Sequence, residues 1–271
     1  MQTLYENDTI RVLYDPRGAD ISIVSFAHMR FSASETNSYW GQSAFEKAGF
    51  SAVGVICKTD TWYPAREVIP AIGALAACLP DANRIAYGFS MGGYGALRFG
   101  KAFGADIVFA VSPQISIDPR FWSGRDSRFS SYFDEELHEN MRIEQDHLPD
   151  NVYAFYDPHH IYDRINVEAL QTVRHVTGVT LHHMGHDTAE VFASSAMFRE
   201  LCLLAVDGDQ HGVAKLAKTT ARASYRRKAG LAACAHLKKR PAMGDAIISK
   251  YFSDGGDWWP ELYRRAIAEI G

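Results

Sequence analysis

The sequence predicts an α/β fold in which a mostly parallel central sheet carries helices on both faces. Three observations lead to this prediction. Short apolar runs alternate with segments of helical spacing from residue 26 to residue 206. The run at residues 105–111 is apolar on both faces, as expected in the middle of a parallel sheet. A glycine-rich turn joins an apolar run to a helical segment within residues 84–97.

Strands are predicted where short apolar runs are bounded by turn residues. Residues 9–14 alternate between apolar and polar side chains, and a turn at residues 15–18 leads to a more continuously apolar strand at residues 21–26. We expect these two strands to form a hairpin that opens the domain. Further strands are predicted at residues 51–57, 85–87, 105–111, 152–156 and 176–181.

Segments with helical spacing of apolar residues lie between these strands. The segment at residues 65–79 stops before Pro80, and Pro70 allows its regular part to begin only there, because proline fits the first turn of a helix. Gly104 closes the helix that follows the glycine-rich turn. The helices predicted in this part of the chain are residues 39–47, 65–79, 91–103, 164–173 and 189–206.

The alternation of strands and helices fails in two places. Residues 112–151 are irregular, with aromatic residues set among charges, which is typical of a functional loop insertion or lid. After residue 208 only helical patterns remain. We therefore predict an α/β domain at residues 1–208 and a helical extension at residues 209–271. The helices predicted in the extension are residues 213–236, residues 242–251 and a last one from about residue 258.

The net charge of −4 is distributed unevenly along the chain. Residues 211–250 contain ten lysines or arginines and one acid, Asp245, so this segment carries +9 and the remainder −13. An anionic partner at these basic helices is one interpretation, and a solvated basic surface is the more ordinary one.

Cysteine usage and hydropathy indicate the cellular compartment in which the protein is expected. Cys57, Cys78, Cys202 and Cys234 are widely spaced, and no pair has the spacing of metal ligands, so buried free thiols in a reducing compartment are expected. The first eight residues are polar and acidic, unlike a secretory signal, and no apolar run approaches the length that spans a membrane. These features favour a cytoplasmic protein that does not insert into membranes.

The glycine-rich turn has the pattern of a nucleophile elbow, with Ser90 flanked by Gly88 and Gly92. In such an elbow the turn from strand to helix is so tight that larger side chains at the flanks would collide with the backbone. The hydroxyl of Ser90 would then be a nucleophile, and the N–H of Met91, at the start of a helix, would be a donor to an oxyanion. Tight packing or a phosphate-binding loop is the alternative interpretation of the same glycines.

A serine nucleophile needs a base, and the base needs a carboxylate that holds its tautomer. Asp157 and Asp163 both follow the strand predicted at residues 152–156, while His186 follows the strand predicted at residues 176–181. His186 is preferred as the base because it comes after Gly185, beyond the strand end, where an imidazole can reach the elbow. His175, His182 and His183 compete for this role, and His182 and His183 are expected to be structural.

The elbow from Gly88 to Leu97, the Asp157-Pro158 pair and the Gly185-His186 pair together resemble the α/β-hydrolase superfamily. The elbow is similar to those of its esterase D and acyl-esterase branches, and the resemblance covers residues 9–206. It implies an α/β-hydrolase fold for this part of the chain. It also implies Ser90 as nucleophile, His186 as general base and Asp157 as the orienting acid, with Asp163 as the alternative.

The resemblance further implies that a second oxyanion donor comes from the loop after the third strand, near His28. The sequence departs from the family there, since Phe26-Ala27-His28 stands in place of the common His-Gly pair. This donor is therefore assigned by position in the chain rather than by a shared motif.

The expected activity is hydrolysis of a small-molecule acyl ester, thioester or amide through an acyl-Ser90 intermediate, without a cofactor. An acyltransferase that uses the same triad, and a non-catalytic protein that binds through its basic helices, are the two alternatives. A metal site is not expected, because His159-His160 and His182-His183 lack the spacing of ligand pairs. No dinucleotide-binding glycine motif follows the first parallel strand.

Overall fold

A computed structural model of the protein describes residues 1–18, 20–31, 37–76 and 83–251. Within them an eight-stranded, mostly parallel sheet has the order β1-β2-β4-β3-β5-β6-β7-β8. Five neighbouring strand pairs, from β4-β3 to β7-β8, are parallel, and β1-β2 and β2-β4 are antiparallel. The predicted α/β architecture is thereby confirmed. The strands are β1 Gln2–Glu6, β2 Ile10–Asp15, β3 Ile21–Phe26, β4 Ser51–Cys57, β5 Asn83–Phe89, β6 Ile107–Val111, β7 Asn151–Tyr156 and β8 Thr177–Thr180.

The predicted hairpin between the strands at residues 9–14 and 21–26 is wrong. β2 pairs in antiparallel register with β1 and β4, whereas β3 lies between β4 and β5 and is parallel to both. All six residues of β3 are buried, so this strand needs a parallel partner on each side and a helix on each face. The hairpin that does occur joins β2 to β1, a strand that the polar first residues did not predict.

Nine α-helices and three short 3-10 turns are present in the described residues. Helix α2 contains Pro70 instead of starting there. The helix predicted at residues 189–206 is a 3-10 turn followed by α6, because Ser194 caps the N-terminus of α6. The α-helices are α1 Gln42–Ala48, α2 Ala65–Ala76, α3 Met91–Phe99, α4 Pro119–Trp122, α5 Ile161–Val173, α6 Ser195–Val206, α7 Gln210–Ala223, α8 Tyr225–Lys239 and α9 Pro241–Tyr251.

The two faces of the sheet bury two separate hydrophobic clusters, because successive residues of a strand point to opposite faces. Val24 of β3 joins a cluster with side chains of α2, α3 and α5. Ile23, its neighbour on the same strand, joins the cluster that contains Phe45 of α1 and Phe198 of α6. Because these strands are parallel, their carboxyl ends lie at one edge of the sheet, and the loops after them meet there.

The segment predicted as an insertion is ordered chain with little regular structure, and aromatic side chains attach it to the body. Trp62 is fully buried, and its ring centre lies 4.9 Å from that of Phe129 and 5.2 Å from that of Tyr132. His138 Nε2 lies 2.9 Å from the carbonyl oxygen of Thr61. The aromatic residues near positions 59–64 and 121–133 thus pack the insertion onto the loop after β4.

The helices after residue 208 do not form one body apart from the sheet. The predicted helix at residues 213–236 is two helices, α7 and α8, since Ser224 ends the first and caps the second. Val213, Ala217 and Ala221 of α7 are buried in the same cluster as α1 and α6. A boundary after residue 208 would cut through this cluster, so we now propose that the α/β domain includes α7.

Helix α8 also contacts the body. The guanidinium of Arg226 lies 2.8 Å from an Asp187 carboxylate oxygen and 3.1 Å from a Glu190 carboxylate oxygen. One of the basic residues counted above therefore pairs with acids of the body instead of facing an anionic partner, and that partner stays a prediction. Cys57 and Cys202 are free and buried, whereas Cys78 and the last predicted helix lie outside the described residues. Among the described helices, none has the length and apolar character needed to cross a bilayer.

The packing of α7 can be tested by placing a charge on each of its two faces. Ala217→Glu would bury an unpaired carboxylate, so we expect insoluble protein or a loss of several kcal/mol in the free energy of unfolding. Thr219→Glu, at an exposed position of the same helix, is the matched control and should change it by less than about 0.5 kcal/mol. Urea unfolding of both variants gives the comparison, and equal stability would contradict the inclusion of α7 in the core.

Candidate active site

Ser90 lies in a tight turn between β5 and α3. Its backbone is in an unusual region, with φ 55° and ψ −117°, and its N–H donates to the carbonyl oxygen of Val111. A Cβ at Gly88 would lie 1.9 Å from the carbonyl oxygen of Gly92, and a Cβ at Gly92 would lie 2.2 Å from that of Phe26. Both flanking positions therefore require glycine, as the elbow pattern predicts.

A continuous chain of hydrogen bonds links Ser90, His186 and Asp163. His186 Nε2 lies 3.0 Å from Ser90 Oγ, and His186 Nδ1 lies 2.9 Å and 3.0 Å from the two carboxylate oxygens of Asp163. A carboxylate only accepts, so Nδ1 carries the proton and Nε2 is the acceptor for the serine hydroxyl. Asp163 is fully buried and Ser90 is 6% exposed, so these hydrogen bonds lie in a site with little water.

The structure places Asp157 elsewhere, although the sequence favoured it as the acid. Its carboxylate is fully buried and accepts hydrogen bonds from the backbone N–H groups of Gly185 and His159 at 2.8 Å and 2.9 Å. Asp157 thus fixes the backbone that leads into His186, whereas Asp163 contacts the imidazole itself. This geometry favours Asp163, the alternative acid, over Asp157, and the assignment of the acid stays a proposal.

The short turn after β7 explains why the later aspartate reaches His186. His160 N donates to the Asp157 carbonyl oxygen, which closes a turn, and His160 is the N-cap of α5. Asp163 is the third residue of that helix, and its backbone nitrogen lies 3.3 Å from His160 Nδ1. The first turn of α5 therefore presents the Asp163 carboxylate to the loop after β8.

The neighbouring imidazoles control the charge of Asp163. Burial alone would raise the pKa of the Asp163 carboxyl, but His160 and His186 outweigh burial and hold that pKa well below its usual range. Burial lowers the pKa of His160, even though its Nδ1 lies 3.1 Å from an Asp163 oxygen. A buried anion in contact with His186 favours the imidazolium that a base must become.

The two predicted oxyanion donors lie on either side of the elbow. Met91 is the first residue of α3 and is buried. The chain after β3 runs against the start of α3, because the carbonyl oxygens of Phe26 and Ala27 are the nearest atoms to a Cβ at Gly92. His28 follows directly, and its ring lies against Phe89 with centres 5.8 Å apart.

The side chain of His28 is held in place by its surroundings. Its Nδ1 lies 2.6 Å from the carbonyl oxygen of Met29, and its ring packs against those of Phe31 and Trp40. Burial lowers the pKa of His28. The ring of His28 is thus occupied by its own contacts, and its backbone N–H stays a predicted donor to an oxyanion.

Comparisons with known proteins establish the fold. No family model and no curated protein matches the chain. Among solved structures, the capsule O-acetyltransferase of Neisseria meningitidis serogroup A is similar with a TM-score of 0.53 at 15% identity, covering 75% of this chain and 93% of that one. Est1E from Butyrivibrio proteoclasticus is similar with a TM-score of 0.53 at 13% identity, covering 76% of this chain and 98% of that one.

A third similar structure is a complex of the glycosylation-associated protein Gap123 from Streptococcus agalactiae, with a TM-score of 0.52 at 15% identity. It covers 72% of this chain and 44% of that one. These similarities, together with the sheet order and the elbow, decide the architecture. The chain has the α/β-hydrolase fold.

Gln114 also contacts Ser90, although no sequence pattern singled it out. Its fully buried side chain has Oε1 3.1 Å from Ser90 Oγ, and its Nε2 lies 3.3 Å from the Ser112 carbonyl oxygen. A serine hydroxyl has one proton, so Gln114 and His186 compete for it. The only sequence feature that could have indicated Gln114 is its position, three residues past the end of β6.

Two clusters in the described residues bring metal-ligating side chains close together. One consists of His160, Asp163 and His186, and the other of Glu144, Asp146 and His147. A metal ion at the first would have to replace the proton on His186 Nδ1 and break the chain of hydrogen bonds to Ser90. Its donor set therefore fits a proton-transfer site better than a metal site, and the absence of a metal stays a prediction.

Two of the histidines that compete with His186, His182 and His183, lie together with His159. His182 Nδ1 lies 3.1 Å from His159 Nε2, and the ring of His183 stacks on that of His159 with centres 4.5 Å apart. Burial and the neighbouring imidazoles of His159 and His182 lower the pKa of His183 to about 4. His175 is exposed at the end of α5. None of these imidazoles is placed between Ser90 and Asp163 as His186 is.

Asp157 should make the stability of the protein depend on pH. Burial raises the pKa of its carboxyl to about 7, although backbone N–H groups favour the ionised form. The native state then holds a proton that the unfolded chain releases near its ordinary pKa of 3.8. The stabilisation is complete below about pH 4 and is lost as the pH rises through about 7.

The measurement is the free energy of unfolding in urea for the wild type and for Asp157→Asn. The free energy of unfolding of the wild type minus that of Asp157→Asn should fall by about 3–4 kcal/mol between pH 4 and pH 8. The reason is that only the wild type loses the buried proton. Groups that titrate in both proteins cancel in the difference. A difference that does not change with pH would contradict the raised pKa of Asp157.

Proposed function

We propose that the protein is a serine-dependent enzyme that cleaves an acyl ester, with Ser90 as nucleophile, His186 as general base and Asp163 as the orienting acid. The observation that carries the proposal is the hydrogen-bond chain from Ser90 through His186 to Asp163, at 3.0 Å and 2.9 Å. Serine, imidazole and carboxylate in this order are the arrangement that activates a hydroxyl for attack on an acyl carbon. The O-acetyltransferase and Est1E, which share the fold, support an acyl substrate.

The geometry supports a two-step reaction. Ser90 Oγ attacks the acyl carbon while His186 Nε2 takes the hydroxyl proton, and the carbonyl oxygen becomes an oxyanion. The N–H groups of Met91 and His28 are the proposed donors to that oxyanion. His186 then returns the proton to the departing alcohol, and a water molecule, activated by the same imidazole, releases the acid from Ser90.

Acyl transfer is the second candidate, because one structural neighbour is an O-acetyltransferase and is known in complex with CoA. The acyl-Ser90 intermediate would be the same, and an acceptor hydroxyl would replace water in the second step. Product analysis with p-nitrophenyl acetate, with and without added alcohols, separates the two: hydrolysis yields acetate alone, whereas transfer yields a new ester.

Ser90→Ala tests the nucleophile. The variant should fold like the wild type, since it removes one oxygen at the elbow, but it should lose all labelling by a fluorophosphonate probe. Mass spectrometry should find the adduct of the wild type on the peptide that contains Ser90. An adduct on another residue, or labelling that persists in the variant, would overturn the assignment, and a folded wild type that never reacts would favour a non-catalytic binding protein.

The two aspartates give a matched pair for the acid. Asp163→Asn should lower kcat for a small ester by about 10⁴, because the imidazole loses the partner that selects its tautomer. Asp157→Asn should lower kcat far less, since its carboxylate contacts the backbone before His186. Thermal unfolding checks that both variants are folded, and a larger loss of kcat in Asp157→Asn would restore Asp157 as the acid.

A further inference from the structure

Arg128 is a buried arginine that the insertion between β6 and β7 carries to the active site. Its side chain is 5% exposed. Nε and Nη2 lie 2.9 Å and 2.8 Å from the two carboxylate oxygens of Asp126, so the two side chains form a bidentate pair. Arg125, three residues earlier, is exposed. The chain thus turns one of two nearby arginines inward.

The inward arginine contacts the first turn of α5. Arg128 Nη1 lies 3.5 Å from Oδ1 of Asp163, and its guanidinium carbon lies 4.4 Å from the ring centre of Tyr162. Asn166, one turn further along α5, donates to Asp126 at 3.1 Å and accepts from the N–H of Ile115 at 2.8 Å. The insertion is therefore tied to α5 on both sides of the proposed acid.

We propose that Arg128 is a positioning residue that links the docked insertion to the carboxylate of Asp163 and keeps this carboxylate turned toward His186. The inference rests on the proposed function for its catalytic consequence. Oδ1 of Asp163 lies 3.1 Å from His160 Nδ1, 3.5 Å from Arg128 Nη1 and 3.0 Å from His186 Nδ1, while Oδ2 lies 2.9 Å from His186 Nδ1. The contacts of His160 and Arg128 with Oδ1 restrict rotation of the carboxyl group about its side-chain bond, which keeps both oxygens within reach of His186 Nδ1.

The positive charge of Arg128 also affects the protonation of His186. Without the guanidinium, the buried carboxylates of Asp126 and Asp163 would lose their common cation, and an imidazolium at His186 would be favoured at higher pH. The protonated, inactive form of the base would then persist further into the neutral range. The charged and titratable groups around His186 include Asp163 and His160, which contact it from α5, and Asp187, the next residue in its loop. They also include His28 after β3 and Arg128, which acts on His186 through Asp163.

The test compares four variants of the full chain with p-nitrophenyl acetate as substrate. Arg128→Gln should lower kcat by roughly tenfold to a hundredfold with little change in KM, and should move the acid limb of the pH profile to higher pH. Arg128→Lys should recover part of kcat, since it restores the charge but not the bidentate pair. Arg125→Gln is the matched control and should behave like the wild type.

The double variant Asp126→Asn with Arg128→Gln removes both members of the bidentate pair and leaves no buried Asp126 carboxylate without its cation, so it should fold even where Arg128→Gln alone does not. Its kcat should remain low. A folded double variant with the kcat and pH profile of the wild type would overturn the proposal and leave Arg128 a purely structural residue.

A substrate-independent measurement separates this proposal from the proposed function. The ring carbon shifts of His186, assigned by comparison with His186→Gln, report the pH at which its imidazolium forms. Arg128→Gln should move this transition to higher pH, and Arg125→Gln should not. If the wild type neither hydrolyses esters nor reacts at Ser90, the proposed function fails while this shift still supports the positioning role. An unchanged transition in Arg128→Gln overturns that role.

Discussion

The buried carboxylate of Asp163 constrains the whole carboxyl edge of the sheet. An ion of this kind costs several kcal/mol to bury unless charged or hydrogen-bonding partners surround it. The partners come from separate parts of the chain: His160 from the turn after β7, His186 from the loop after β8, and Arg128 from the insertion. Three loops at this edge therefore contact the same carboxylate, that of Asp163. In the proposed function, the charge of this carboxylate favours the protonated form of His186.

The elbow supplies the second constraint, and it acts through backbone contact instead of charge. Because Gly88 and Gly92 have no Cβ, the end of β5, the start of α3 and the chain after β3 approach within backbone contact. This approach brings the start of α3, with Met91, close to the chain that leads into His28. The two glycines thus determine how closely the proposed donors and the proposed nucleophile can be placed.

The sequence was sufficient for the α/β fold, because the alternation of apolar strands and helices is a local pattern. It also singled out Ser90 and His186, since an elbow and a glycine-histidine pair at strand ends can be recognised along the chain. The choice between Asp157 and Asp163 depends on a turn at residues 157–160 that rotates the start of α5, and no spacing rule contains that rotation. Gln114 and Arg128 lie in an irregular segment, where only tertiary packing decides which side chain turns inward.

The helices after β8 also help to position the loop that carries His186. The loss of strand patterns after residue 208 suggested a helical extension, but that pattern does not show which small residues α7 buries. Ala217 and Ala221 carry little hydropathy signal, yet they let α7 lie close against the cluster on that face of the sheet. From there Arg226 of α8 reaches Asp187 and Glu190, which follow His186 in the chain. The loop that carries the proposed base is thus held at one end by Asp157 and at the other by the C-terminal helices, so both regions contribute to the position of His186.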